Sequence, residues 1–220
     1  MYDITVIGAA ILDVLTYPVS AQDLNVPSFP AEGISMAVGG DAANEAVALS
    51  RLGKKVNLIT KLGNDMAGHI LLSHFQKNGV STEDSVLEEG LDTGINVVLV
   101  DQEAERSFIT NKNGSLRKLA LCDISEQALD KSPVVSFASI FVSPLMDVPA
   151  MTSLFHSVKE KGKILCADMT RCKNGETLTD IAPLLPSIDF LFPNYQEAKA
   201  VTGKETPEEI ADAFLACGLS

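Results

Sequence analysis

Gly39-Gly40-Asp41-Ala42-Ala43-Asn44-Glu45-Ala46 opens a predicted helix that runs over residues 42–52 and stops at Gly53. Two consecutive glycines permit a positive φ and allow a ligand to approach the backbone closely. The free N–H groups of a helix N-terminus and the amide of Asn44 could then bind hydroxyl groups. A second interpretation stays open, in which Asp41 only caps the helix and Asn44 is a solvated residue of its first turn.

Strand-like and helical segments alternate on both sides of this turn. Repeated βα units imply an α/β fold with a mostly parallel sheet and helices on both of its faces. The predicted strands are 4–7, 56–60, 139–142, 163–167 and 188–192, and the predicted helices are 42–52, 65–78, 150–160, 177–185, 194–201 and one that opens at Thr206.

The middle of the chain has a different pattern. Residues 93–100 and 106–110 are strand-like and are joined by a short polar connection, which favours an antiparallel hairpin. Residues 14–38 also alternate weakly between polar and apolar side chains. We therefore expect one α/β domain over residues 1–220, with a small β lid formed from about 14–38 and 85–115.

Composition and charge argue against several classes of function. The 220 residues are 46% hydrophobic and 21% charged, and a net charge of −12 is unfavourable for binding nucleic acid or an anionic membrane. The four cysteines are irregularly spaced without a CxxC pair, which favours reduced thiols over zinc sites. No apolar run reaches the ~18 residues of a membrane helix, and no signal-like segment opens the chain, so we expect a cytoplasmic protein.

Polar residues follow several predicted strands, at the edge where open α/β sheets bind ligands. Asp13 could accept hydrogen bonds from vicinal hydroxyls or could be a solvated turn residue. Asp168 and Arg171 could bind a ligand or form a salt bridge across a turn. Asn194 and Glu197 have the spacing of a capping box, which does not exclude a second role in binding.

Gly8 and Arg106 are two further candidate positions for ligand contact in the first half of the chain. Gly8 follows a strand, but the second and third glycines of a dinucleotide-binding GxGxxG motif are missing. Arg106 stands on the predicted hairpin, where it could face a ligand or be a solvated edge charge.

In residue type and spacing, the run from Gly39 to Ala46, followed by Gly53 and Gly63, resembles the N-terminal signature of the ribokinase-like (PfkB) carbohydrate kinases. Stretches 39–46 and 95–115 are most similar to a poorly characterised bacterial sugar-kinase subgroup. The resemblance covers essentially the whole chain, because it continues through Leu62-Gly63-Asn64-Asp65, Glu105-Arg106-Ser107-Phe108, Asp168-Met169-Thr170-Arg171 and Pro193-Asn194-Tyr195-Gln196-Glu197.

The resemblance implies an enzyme that transfers the γ-phosphate of ATP to a primary hydroxyl of a sugar or polyol. It also implies Mg²⁺, often with stimulation by a monovalent cation, and a β lid over the sugar. A lid with free strand edges could pair with a second copy to form a homodimer. By position, sugar hydroxyls would contact Asp13, Gly40, Asp41 and Asn44, with Arg106 and Asn111 on the lid. Asp168, Arg171 and Asn194 would lie near the phosphates, and Glu197 near the Mg²⁺ water shell.

Two departures from the family pattern limit these expectations. Ribokinases proper have an Asn where Ile11 stands and a Lys where Asp41 stands, so ribose is not the favoured substrate. The family's glycine-rich segment with its catalytic Asp has no counterpart here, and a Walker motif is absent too. We therefore expect the C-terminal part of the domain, with the catalytic base, to lie beyond Ser220 and this chain alone to be inactive. A nucleoside kinase of the same fold and a non-catalytic sugar-binding protein remain alternatives.

Overall fold

The computed structural model describes residues 1–20 and 22–219. The strands are β1 (Ile4–Gly8), β2 (Ile11–Tyr17), β3 (Gly33–Gly39), β4 (Val56–Ile59), β5 (Lys61–Gly63), β6 (Val80–Ser81), β7 (Val86–Glu88), β8 (Ile95–Val100), β9 (Arg106–Thr110), β10 (Val134–Ile140), β11 (Ile164–Met169) and β12 (Phe190–Leu191). The helices are α1 (Asp41–Arg51), α2 (Met66–Lys77), α3 (Glu126–Asp130), α4 (Val148–Glu160), α5 (Leu178–Ile181), α6 (Tyr195–Thr202) and α7 (Pro207–Ala216).

The main sheet is parallel throughout and has the strand order β12-β11-β10-β1-β4-β6. Its central strands are buried on both faces, as their continuous apolar runs predict. One core cluster packs α4 against the sheet around Phe137 and Phe155, and the other packs α1 and α2 around Leu58 and Phe75. This confirms the predicted α/β fold with helices on both faces.

The second sheet has the strand order β3-β2-β8-β9 and stands apart from the main one. β2 is antiparallel to β3 and parallel to β8, and β8 and β9 form the predicted antiparallel hairpin. The strand β7 does not join this sheet, because it pairs with β5 in a separate two-stranded sheet. The part of the predicted lid segment near residue 85 is therefore not a strand of the second sheet.

Three predicted boundaries are wrong, each for a local reason. The strand predicted at 139–142 is β10, which begins at Val134 because a strand buried on both faces lacks the alternation that marks its start. The helix predicted at 177–185 is only α5, followed by a 3₁₀ turn over Leu185–Ser187, since Pro183 and Pro186 lack N–H donors. The strand predicted at 188–192 is the short β12, which ends before Pro193. Within the described residues, every helix is too short or too polar to span a bilayer.

Candidate active site

The two glycines before α1 are fixed by contacts that exclude a side chain. Gly40 is the N-cap of α1 with φ 95° and ψ 137°. A Cβ at this position would lie 2.4 Å from the carbonyl oxygen of Ala9, so the turn requires glycine. Asp41 is consequently the first residue inside the helix. The interpretation of Asp41 as the helix cap is wrong, and its carboxylate is available for other contacts.

Ser139 connects Asp41 to the end of the neighbouring strands. The Ser139 hydroxyl donates to Oδ2 of Asp41 at 2.7 Å and lies 3.3 Å from Oδ2 of Asp168. Ser139 is buried near the end of β10, and Asp168 lies on β11, so one hydroxyl of β10 bridges side chains from α1 and β11. Ser139 is not among the residues predicted from the sequence. The sequence pattern predicts a strand over 139–142, which places Ser139 at the wrong end, whereas in the structure it lies at the carboxyl end of β10.

A pocket of about 380 Å³ lies beside this bridge, between α1 and the ends of β10 and β11. Burial raises the pKa of Glu45, and the nearby carboxylates of Asp168 and Asp41 raise it further. Burial also raises the pKa of Asp168, with additional repulsion from Asp41 and Glu197. Such a pocket favours ligands that donate hydrogen bonds or carry positive charge. The lining residues are Asp41, Asn44, Glu45, Ser136, Ala138, Asp168 and Phe192.

Asp13 reaches the same region from the second sheet. It lies on β2, and its Oδ1 accepts a hydrogen bond from Nδ2 of Asn96 at 2.9 Å. A Cβ on Gly39 would fall 2.2 Å from Oδ2 of Asp13, so the absence of a side chain there makes room for the carboxylate. The predicted site residues Asp13, Gly40 and Asp41 are thus brought to one turn of the chain.

Asn111 and Arg106, the two residues predicted on the lid, lie at opposite ends of β9. Asn111 uses both ends of its amide on the backbone, because Oδ1 accepts from the N–H of Ile95 and Nδ2 donates to the carbonyl of Thr93, each at 2.8 Å. It anchors the start of β8. Arg106 is exposed at the opposite end of β9, about 13 Å from Thr110 by the usual strand rise. The structure does not bring Arg106 to Asp13.

The residues near β12 combine a helix cap with unused polar atoms. Asn194 caps α6, since its Oδ1 accepts from the N–H of Glu197 and Oε2 of Glu197 accepts from the N–H of Asn194, both at 3.0 Å. The predicted capping box is confirmed. Within the described part of the chain, Oε1 of Glu197 and Nδ2 of Asn194 have no hydrogen-bond partner, and Arg171 is exposed and forms no salt bridge with Asp168.

The fold and this site define a ribokinase-like α/β domain with an acidic pocket at the carboxyl ends of its strands. Residues 1–217 match the pfkB family of carbohydrate kinases. The chain therefore belongs to that family, which confirms the resemblance seen in the sequence.

Several curated proteins are similar to this chain over most of its length. It is 26% identical to a bifunctional ribokinase/ribose-5-phosphate isomerase A of Fructilactobacillus sanfranciscensis over 84% of the chain and 34% of that protein. It is 27% identical to a 5-dehydro-2-deoxygluconokinase of Clostridium perfringens, over 76% and 49% respectively. Fructokinase-1 of Zea mays is 28% identical, over 79% and 55%. The chain thus spans between about a third and just over half of these relatives.

Solved structures share the fold at lower sequence identity. A PfkB protein from Polaromonas sp. JS666 has a TM-score of 0.83 and 21% identity, covering 100% of this chain and 74% of that one. Arabidopsis thaliana ribokinase complexed with ribose and ATP has a TM-score of 0.78 and 22% identity, covering 98% and 68%. A candidate ribokinase II from E. coli, in complex with ATP and Mg²⁺, has a TM-score of 0.82 and 23% identity, covering 100% and 71%.

Proposed function

We propose that this chain forms the sugar-binding part of an ATP-dependent kinase that phosphorylates a primary hydroxyl of a small sugar or polyol. The observation that carries the proposal is the convergence of Asp13, Gly40, Asp41 and Asp168 at the carboxyl ends of the strands. In open α/β sheets this is the edge at which ligands bind. Family membership over residues 1–217 supplies the reaction class.

The charges at the site disfavour an anionic ligand, and its hydrogen-bonding groups suit a hydroxylated one. The carboxylates of Asp13 and Asp41 accept hydrogen bonds, whereas the amide of Asn44 can both donate and accept. A sugar hydroxyl can serve either partner, and Gly40 lets it approach the backbone. A sugar that already carries a phosphate or carboxylate would be repelled by the acidic pocket, so we propose an uncharged sugar or polyol.

The residues toward β12 fit a metal-bound nucleotide. Asp168 and Glu197 offer the oxygen ligands that Mg²⁺ prefers. Burial first, and then repulsion from Asp41 and Glu197, raise the pKa of Asp168, and a divalent cation would relieve that repulsion. Among the described residues no group of three potential ligands could hold a metal alone, which suits an ion that keeps several waters. Bound Mg²⁺ would neutralise charge on the transferred phosphate. Glu197 would then hold a water of its shell through Oε1, Asn194 would donate from Nδ2 and Arg171 would bind a phosphate oxygen.

The second sheet supports two further parts of the proposal. We assign it as a lid over the sugar, because Asp13 projects from it beside the Gly39-Gly40 turn. Ile34, Met36 and Ile109 are exposed on its opposite face, which supports pairing with a second copy. Light scattering after gel filtration would report a dimer, and a monomer at micromolar concentration would contradict this part.

ADP release with a panel of neutral sugars, polyols and nucleosides tests the activity. It is run on this chain and, where the coding sequence continues, on the longer chain, because the catalytic base is proposed to lie beyond Ser220. Phosphorylation of one sugar supports the proposal, and phosphorylation of nucleosides only would assign a nucleoside kinase. Sugar binding without ADP release from either chain would assign a non-catalytic sugar-binding protein.

Two remaining parts of the proposal concern a monovalent cation and the cellular compartment. Replacing K⁺ by tetramethylammonium in the same assay tests stimulation by a monovalent cation, which the family resemblance implies. We place the reaction in the cytoplasm, where thiols stay reduced, because the four cysteines are unpaired.

A further inference from the structure

Asn96 lies in a row of polar and small side chains that crosses the second sheet. Ala37, Asp13, Asn96 and Thr110 are register partners on β3, β2, β8 and β9, so their side chains share one face. The same face carries Ile11, which pairs with Gly39. The row of Asp13 therefore crosses all four strands of the sheet, two residues along β2 from the pair that includes Gly39.

Two hydrogen bonds fix the orientation of Asn96. Its Nδ2 donates to Oδ1 of Asp13 at 2.9 Å, and its Oδ1 accepts from the hydroxyl of Thr110 at 2.6 Å. A flipped amide would point Oδ1 at the Asp13 carboxylate, so the two contacts require the same orientation. Asn96 is only 8% exposed and therefore acts through Asp13 more than by direct contact with a ligand.

These contacts leave Asp13 little freedom. Asn96 holds one carboxylate oxygen, and the other lies against the backbone of Gly39. The lone pairs that remain open toward a ligand are consequently fixed in direction. A fixed acceptor of this kind accepts from ligand hydroxyls at fixed positions and discriminates strongly against a ligand that lacks one of them.

We propose that Asn96 is a positioning residue for ligand recognition, which holds the Asp13 carboxylate in the direction needed to accept from sugar hydroxyls, and that Thr110 sets the orientation of Asn96. The proposal rests on the proposed function and adds a specificity to it. The ligand class is a sugar or polyol with an unmodified hydroxyl at the position facing Asp13.

Isothermal titration with the best-binding sugar of the panel and its monodeoxy analogues tests this role. In the wild type, one deoxy analogue binds far more weakly than the parent sugar. Asn96→Ala weakens binding of the parent about tenfold, as expected for one hydrogen bond, and leaves that analogue unchanged. Thr110→Val weakens the parent in the same selective way, whereas Thr110→Ser keeps the hydroxyl and restores binding. Ser107→Ala, exposed on the opposite face of β9, is the matched control and stays within twofold.

Each outcome decides the proposal. Equal losses for the parent and all deoxy analogues would indicate a structural role only, and unchanged binding by Asn96→Ala would overturn the positioning role. Thr110→Val preserves side-chain volume and covers the case in which Asn96→Ala fails to fold. If the wild type binds no sugar, the proposed function itself fails, and the role of Asn96 in sugar recognition fails with it. If the wild type binds but discrimination persists in both variants, only this inference fails.

Discussion

The main sheet and the second sheet differ in how they bury their strands. In the main sheet β1, β4 and β10 are buried on both faces, and Phe155 packs over them with no exposed surface. In the second sheet Ile34, Met36 and Phe108 are 70%, 67% and 59% exposed. Apolar burial therefore stabilises the main sheet, whereas side-chain hydrogen bonds contribute more to the second. The sheet that presents Asp13 to the site is the less buried one.

Asp65 joins these two regions. Its Oδ1 accepts from the N–H of Gly68 and from the hydroxyl of Thr93, at 2.8 and 2.7 Å, and its Oδ2 accepts from the N–H of Thr93 at 2.8 Å. Although burial opposes it, these hydrogen bonds from Thr93 and Gly68 lower the pKa of Asp65. One carboxylate thus caps α2 and holds the chain that enters β8.

The largest contrast is expected from removing one aromatic ring that packs over the main sheet and one that lies on the second sheet. Phe155→Ala leaves a cavity in the core and should lower the free energy of unfolding by about 3–5 kcal/mol. Phe108→Ala, its matched control on an exposed position, should change it by less than about 0.5 kcal/mol. Urea unfolding followed by circular dichroism measures both. Similar losses for the two variants would contradict the proposed difference between the sheets.

Gly40→Ala should have the next largest effect, because it combines a positive φ with a clash. The added Cβ would meet the carbonyl of Ala9, and we expect a loss of about 1–3 kcal/mol with weakened sugar binding. Gly53→Ala is a matched control at φ +85°, where a Cβ meets no atom within 4 Å. It should cost about 1 kcal/mol and leave binding unchanged. Equal effects on binding would show that the turn has no special role.

Asp65→Ala should uncouple the second sheet from α2. Loss of a helix cap of this kind costs about 0.5–2 kcal/mol. Since the folded pKa of Asp65 is lowered, its contribution is present at neutral pH and disappears as the pH falls through that pKa. Hydrogen exchange should increase selectively in β8 and β9 of the variant at pH 7. Uniform exchange across both sheets would contradict the role of Asp65 as a link between them.

Glu45→Gln should give the smallest change in stability. Unlike the substitutions above, it should stabilise the protein. The folded protein raises the pKa of Glu45, so it binds the proton more tightly than the unfolded chain, and stability falls as the pH rises through that range. The glutamine variant should melt at a higher temperature than the wild type at pH 7.5. The difference should shrink as the pH falls below 4.5, the ordinary pKa of a Glu side chain, because Glu45 then becomes protonated in both states. A lower melting temperature at pH 7.5 would contradict the acidic pocket.

Local patterns in the sequence predicted the elements that depend on neighbouring residues. The glycine pair before α1, the hairpin of β8 and β9 and the capping box of Asn194 all follow from short-range chemistry. Ser139 and Asn96 were not predicted as site residues, because their roles depend on partners 98 and 83 residues away. Those contacts depend on strand order and register, which periodicity alone does not specify.

Titration of the wild-type chain and Asp41→Asn with the neutral-sugar panel tests the central claim most directly. The substitution keeps the size of the side chain and its contact with Ser139, and removes the charge from the pocket. We expect that at least one neutral sugar binds the wild type and that Asp41→Asn weakens its binding about tenfold without lowering the melting temperature. Binding of that sugar with equal affinity by both proteins, or binding of none, would contradict it.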